Sequence, residues 1–367
     1  MTTSAGVTSE FSPDYVTARA NFRKMAERLQ WQHETHSIGQ TGPDGENLTI
    51  DVALSPGDDA RPTLVLSSGL HGVEGPFGSA VQCDALLSWE RSAPPVRVVL
   101  IHALNPYGFA WRRRANENNV DLNRNFLLPD ERYEGSPPGY ADLDGFLNPK
   151  SAPSPWEPFT LKALWMIARE GLPKLRQAIA GGQYDFPQGV FFGGIGPERV
   201  PQILGEHLPR WLGASRAVVH LDFHTGLGAS GTGKLLIDYP LSESDRHRLI
   251  DWYGPHGFEA SDSRTIAYDS RGSLGRWCRA TNPERDYLYA CAEFGTFGPV
   301  AVLGGLRAEN RVHHWSKSSS ATVERTKQRL AELFCPSSPR WRQQVLEGAR
   351  MLIAQSIAGL QSIAPAR

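Results

Sequence analysis

The sequence predicts an α/β fold built around a largely parallel sheet, and three observations predict it. Apolar runs of strand length occur at 48–55 (LTIDVALS), 63–69 (TLVLSSG) and 97–104 (RVVLIHAL). Between the last two lies GPFGSAVQCDALLSW (75–89), which reads as a helix. A strand, helix, strand unit of this length joins two parallel strands through a right-handed crossover.

The remaining elements follow in chain order. SPDYVTARANFRKMAERLQW carries apolar residues at helical spacing, with Ser12 and Pro13 expected as cap and first turn. Residues 127–160 are dense in Pro, Gly and aromatics; the stretch is too long for an ordinary connection and too aromatic for a disordered linker, so a packed functional loop is expected. A helix is expected over about 160–181, and GVFFGGIGP (189–197) as a strand or turn. AVVHLDFH (217–224) reads as a strand ending at its histidine, and YLYACAEFGT (287–296) as another. The C-terminal stretch, about 321–367, reads as two helices broken at CPSSP. No internal repeat is visible.

A length of 367 residues fits two average domains or one large α/β domain with insertions. Lys+Arg 38 against Asp+Glu 39 leaves a formal charge of -1, and only RRR (112–114) concentrates one sign. Nucleic acid and acidic membrane surfaces are therefore not expected as partners. Cys83, Cys278, Cys291 and Cys335 form no CxxC pair, which argues against a disulfide framework and a thiolate zinc site. The N-terminal stretch lacks the apolar core of a secretory signal, and no run approaches ~18 apolar residues. A soluble, cytoplasmic protein is expected.

In open α/β sheets the site lies outside the carboxyl ends of the strands, and HGVEG (71–75) falls at such an end. A neutral imidazole and a carboxylate both ligate zinc, and catalytic zinc sites take three protein ligands and leave a position for water. His71 and Glu74, one turn apart, supply two. HLDFHTG offers His220 and His224 on one strand face; His224, at the turn-forming end before TGLG, is the expected third. The other histidines receive no role.

Two further segments extend the pattern: NPYGFAWRRRANENNVDLNRNF (105–126) and YACAEFGT, with Glu293. Together with HGVEG and DFHTG, in this order and over about 63–300, they resemble the zinc carboxypeptidase family, the metallocarboxypeptidases of peptidase family fourteen. The resemblance implies one domain with a mixed, largely parallel twisted sheet flanked by helices, and one Zn2+ per chain. It also implies that His71, Glu74 and His224 are the zinc ligands, and that Asp121 orients the first histidine through its outer N–H. Arg114, favoured over Arg112 and Arg113 by the R-x-N spacing, is implied to polarise the scissile carbonyl. Asn123 and Arg124 are implied to clamp a substrate carboxylate, a group that a planar guanidinium grips through two parallel bonds. Glu293 is implied to be the general base, and its apolar strand would raise its pKa.

One departure bears on the substrate. Family carboxypeptidases carry a mobile tyrosine before the catalytic glutamate, where RGSLGRWCRATNPERDYLYACAEF has Trp277 and Cys278; Tyr268, Tyr287 and Tyr289 are out of register. The aspartoacylase-like branch, which cleaves N-acyl amino acids, also manages without it. The expected function is thus a zinc-dependent hydrolase cleaving an amide next to a carboxylate-bearing residue of a small peptide. The alternative is an N-acyl amino acid deacylase. A non-catalytic metal- or peptide-binding module would be expected to lack Glu293 or a ligand, and neither is missing. The 127–160 loop and FFGGIGPE are expected to wall the pocket.

Overall fold

The computed structural model describes residues 10–154, 156–260, 271–316 and 321–363. The first half of the chain runs α1 (Tyr15–Arg28), β1 (Gln32–Thr41), β2 (Asn47–Leu54), β3 (Thr63–Ser68), α2 (Gly75–Trp89), β4 (Arg97–His102) and α3 (Pro106–Ala110). Then come α4 (Tyr140–Leu147), α5 (Phe159–Glu170), α6 (Leu172–Ala180), α7 (Arg199–Leu212), β5 (Ala217–Ser230), β6 (Gly233–Ile237), α8 (Glu243–Tyr253) and β7 (Phe258–Ala260). The chain closes with α9 (Leu274–Ala280), β8 (Asp286–Gly295), α10 (Pro299–Trp315), α11 (Ala321–Phe334) and α12 (Pro339–Ile363).

The eight strands form one mixed sheet in the order β1-β2-β4-β3-β5-β8-β6-β7. Its centre, β4-β3-β5-β8, is parallel throughout. From β3 the crossover through α2 leads to one side of the sheet, and from β5 the chain continues towards β8 on the other. The strand order therefore reverses between β3 and β5, which is where an open α/β sheet opens a crevice at its carboxyl edge.

Side-chain alternation decides what each face of β5 carries. Phe223 points to the face covered by α2, where Phe77 meets Phe223, Phe294 of β8 and Trp341 of α12. His220, Asp222 and His224 alternate to the opposite face, beside Tyr289 of β8, and they too are buried. Burial on both faces accounts for the near-continuous apolar runs of β3 and β4.

The structure departs from the sequence reading in local detail. Asp14, not Ser12, caps α1: its side chain accepts from the Thr17 N–H. The expected helix over 160–181 is two, α5 and α6, broken at Gly171 ahead of Pro173. The 127–160 stretch contains a helix, α4, whose Tyr140 and Leu147 are buried in a small satellite core. β5 does not end at His224. Its register with β8 shifts after Thr225, where Gly226 takes a φ of 138° that other residues rarely adopt, and the strand runs on to Ser230. Among the described residues no helix is long and apolar enough to cross a membrane.

Candidate metal centre and active site

His71 lies just past the end of β3, and the turn that follows (Gly72–Glu74) is stitched to the arginine loop. The Gly72 N–H donates to the Arg114 carbonyl at 3.2 Å and the Val73 N–H to the Arg113 carbonyl at 2.8 Å. A Cβ on Gly72 would stand 2.1 Å from the Gly108 carbonyl carbon, so only glycine admits this approach. Asn105 of NPYG holds the same junction: its side chain accepts from the Gly108 N–H at the start of α3 and donates to the Arg114 carbonyl.

These loops and β5 bring three donor groups together. His71 Nδ1 is 2.9 Å from Glu74 Oε1, His224 Nδ1 is 3.0 Å from Glu74 Oε2, and the two Nδ1 atoms are 3.1 Å apart. All three residues are buried. Each imidazole's outer nitrogen meets its own carboxylate: His71 Nε2 lies 3.2 Å from Asp121 Oδ1, and His224 Nε2 lies 2.6 Å from Asp222 Oδ2. Two inward nitrogens and a carboxylate, with the outward nitrogens anchored, are a donor set that fits a zinc ion.

Charge inside the cluster is balanced by its own members. Burial opposes ionisation of Glu74, but His71 and His224 overcome it and hold the carboxyl well below its ordinary range. Burial likewise opposes a charge on His224, but Asp222 and Glu74 raise the imidazole well above its usual value. Asp121 is held far down in spite of burial, by Arg114 and His71. A second group, His224, Cys291 and Glu293, also lies close enough to share an ion. Burial and the neighbouring Glu293 push the Cys291 thiol well up, however, which disfavours the thiolate there.

Glu293 sits beside His224 in the ladder between β5 and β8. Its Oε1 accepts from the Leu227 N–H at 2.8 Å, a contact made possible by the β5 irregularity. Burial first, and the charge of Glu74 second, raise its carboxyl to about 7. A carboxylate tuned there can both take and return a proton near neutrality.

The three consecutive arginines separate cleanly. Arg112 pairs on the surface with Glu324. Arg113 is buried against Glu309 and Asn119. Arg114 alone reaches the cluster: its Nε donates to Asp121 Oδ2 at 2.9 Å, one terminal nitrogen lies 2.7 Å from His71 Nε2, and the guanidinium stands over the Phe191 ring. When His71 binds through Nδ1, its Nε2 carries the proton and donates to Asp121; the Arg114 contact is then no hydrogen bond.

Asn123 and Arg124 line the same cavity as the ligand set. The Asn123 side chain accepts from the Leu274 N–H. Arg124 is buried and donates to the Ala180 carbonyl through Nε and a terminal nitrogen, and to the Asn123 carbonyl through the other. Phe191, from FFGGIGPE, also lines it, whereas no described residue of the 127–160 stretch does. Trp277 packs on Phe126 and Cys278 is buried, and neither lines the cavity. The hydroxyls of Tyr287 and Tyr289 are turned to His220 and Asp222. Tyr268 lies outside the described residues.

Two residues of the site escaped sequence reasoning. Asp222 was legible in principle, because position i−2 on a strand shares the face of His224. Asp238, directly after β6, is half-buried in the cavity wall, and desolvation raises its carboxyl. Nothing in KLLIDYP distinguishes it from a strand-end aspartate.

The chain belongs to the family whose model is described as a protein of unknown function (DUF2817), which matches residues 11–348. It is 31% identical over 129 residues to Carboxypeptidase SOL1 of Arabidopsis thaliana, a match that covers 32% of this chain and 25% of that protein, so it spans a quarter of the relative's length. Bovine thrombin-activatable fibrinolysis inhibitor, solved in complex with tick carboxypeptidase inhibitor, has a similar fold: the TM-score is 0.52 at 12% identity, covering 96% of this chain and 98% of that one. Carboxypeptidase A from Helicoverpa armigera matches with a TM-score of 0.47 at 13% identity, over 87% of this chain and 73% of its own. The fold is carboxypeptidase-like, a mixed sheet flanked by helices, as the resemblance implied.

Proposed function

We propose that the protein is a zinc-dependent hydrolase of carboxypeptidase type that cleaves an amide bond next to a carboxylate-bearing residue. The observation that carries this reading is the meeting of His71 Nδ1, His224 Nδ1 and the Glu74 carboxylate, each imidazole backed by its own aspartate, with Glu293 alongside. A bound zinc supplies a Lewis acid for the carbonyl and makes water acidic enough to be deprotonated at neutral pH.

The chain's own residues divide the remaining work. Glu293 accepts the proton of the attacking water and returns it to the leaving nitrogen, for which a carboxyl near 7 is suited. Arg114 favours the negative charge that develops on the carbonyl oxygen. Asn123 and Arg124 take the substrate's carboxylate, so that the scissile bond is set at a fixed distance from the ligand cluster. Asp121 and Asp222 fix the tautomer and orientation of the two histidines.

The substrate is a small peptide or an N-acyl amino acid. We place the activity in the cytoplasm, in keeping with four scattered cysteines that remain thiols. Zinc-loaded and chelator-treated protein should be screened against dipeptides and N-acyl amino acids. Zinc-dependent release of a free amine is expected; a loaded protein inert towards both libraries would overturn the hydrolytic reading.

A further inference from the structure

Beside the ligand cavity lies a second one of about 130 Å³ that the chemistry above leaves unused. Its walls come from α4, α5, α6 and α10, and they include Ala163, Met166, Leu175, Ile179 and Leu303; Arg176 is the one polar side chain among its lining residues. The two cavities adjoin each other, and Arg176, Ala180, Phe191, Leu227, Val302 and Leu306 line both. Asn123, Arg124 and Asp238 line only the first.

Phe191 marks the junction. It touches both satellite cores, its ring lies under the Arg114 guanidinium, and its φ of 60° is a conformation that a bulky side chain seldom adopts. Such a backbone persists only where the surroundings hold it, and here it keeps an aromatic edge between the polar centre and the apolar chamber.

A substrate whose carboxylate lies at Asn123 and Arg124, with its carbonyl at Arg114, directs its acyl side away from that clamp, towards the adjoining chamber that neither Asn123 nor Arg124 lines. An apolar group placed against these walls gains dispersion contacts along with the transfer free energy of leaving water. We infer that the apolar chamber is an acyl subsite, so that the preferred substrate is an N-acyl amino acid with a medium-length aliphatic acyl chain. This rests on the hydrolytic reading and refines it. Water adds across the amide; the acyl carbon keeps the oxygen and leaves as a fatty carboxylate, and the nitrogen leaves with the proton as the free amino acid.

The test is a chain-length series of N-acyl derivatives of one amino acid, from acetyl to dodecanoyl, with the zinc-loaded protein. Each methylene that enters the chamber should raise kcat/KM about fourfold until it is full. Ala163→Phe should end the rise at a shorter chain, and Leu303→Ala should move the optimum to a longer one. Opposite shifts cannot come from partial unfolding. In parallel, 1-octanol is titrated calorimetrically into chelator-treated protein, where binding at least tenfold weaker in Ala163→Phe is expected. Hydrolysis at a rate independent of chain length, or octanol binding that Ala163→Phe does not weaken, overturns the acyl subsite. If octanol binds as expected and no amide is cleaved, the apolar ligand site stands and the hydrolytic reading alone falls.

Discussion

His224 and Asp222 stand two residues apart on one face of β5, with Nε2 and Oδ2 separated by 2.6 Å and both side chains buried. Ser67 donates to the other oxygen of Asp222 at 2.6 Å, and the Tyr289 hydroxyl donates to Oδ2 at 3.0 Å. The carboxylate is thus held from β3, β5 and β8 at once. It fixes the imidazole with Nδ1 facing Glu74, so the donor geometry exists before any ion arrives.

Asp222→Asn should therefore weaken zinc affinity roughly 10–100-fold, the usual cost of losing such a partner. Competition with a chromogenic chelator measures it. His224→Ala should abolish stoichiometric zinc while the chain stays folded, because a core of this size does not need a metal to fold. His220→Ala is the control, since His220 faces Ser67 and Tyr287; full zinc content in His224→Ala would remove it from the ligand set.

Zinc binding should tighten as pH rises. In the metal-free chain the raised His224 contributes stability that is fully present below its ordinary value of 6.5 and is lost as pH climbs through its higher folded value. Zinc must displace that proton. The melting temperature of chelator-treated protein should fall on the alkaline side, and the zinc-induced rise should widen. Glu74 and Asp121, both held down, act oppositely: their contribution is present above the ordinary carboxylate range and is lost only in strong acid. A zinc-induced rise that shrinks between neutral and mildly alkaline pH would contradict this assignment.

Glu293→Gln should keep its zinc and lose ~10²–10⁴ in kcat, because the amide cannot accept the proton. The wild-type acid limb of kcat/KM should reflect the same carboxyl. Without a metal it lies at about 7; a nearby cation favours the carboxylate, so the midpoint belongs at or below 7. Below it the base is protonated and the rate falls. A pH–rate profile in which Glu293→Gln retains that limb would assign it to another group.

The centre of the sheet was legible because β3 and β4 are buried on both faces and so read as unbroken apolar runs. His71 and Glu74 were legible because a tight turn places them together locally. β1 was not: QHETHSIGQT is an edge strand with most of its side chains at least partly in solvent, and such a pattern has no apolar period. β6 and β7, of five and three residues, are too short to show one. The choice of Arg114 among three arginines depended on motif spacing, whereas its separation from Arg113 depends on Glu309, far along the chain. The apolar chamber is wholly non-local, since α5, α6 and α10 meet there only after folding.

Arg124 is anchored to the Ala180 and Asn123 carbonyls, which hold the plane of its guanidinium at the cavity wall before a substrate arrives. Little side-chain order then remains to be imposed on binding, and a carboxylate meets a charge already in place. Hydrogen bonds to charged groups contribute about 1.5–3 kcal/mol, and a neutral amide in the carboxylate's position forfeits at least that. Once a substrate is found, its C-terminal amide should be cleaved more than tenfold more slowly than the acid. Arg124→Ala should bring the acid down to the rate of the amide. Because that substitution also releases the Ala180 carbonyl, its melting temperature must be compared with wild type, and the acid-to-amide ratio in unmodified protein remains the cleaner measurement. If wild type cleaves acid and amide alike, the pocket does not read a terminal carboxylate, and the protein is better described as an endopeptidase or a deacylase of another substrate class.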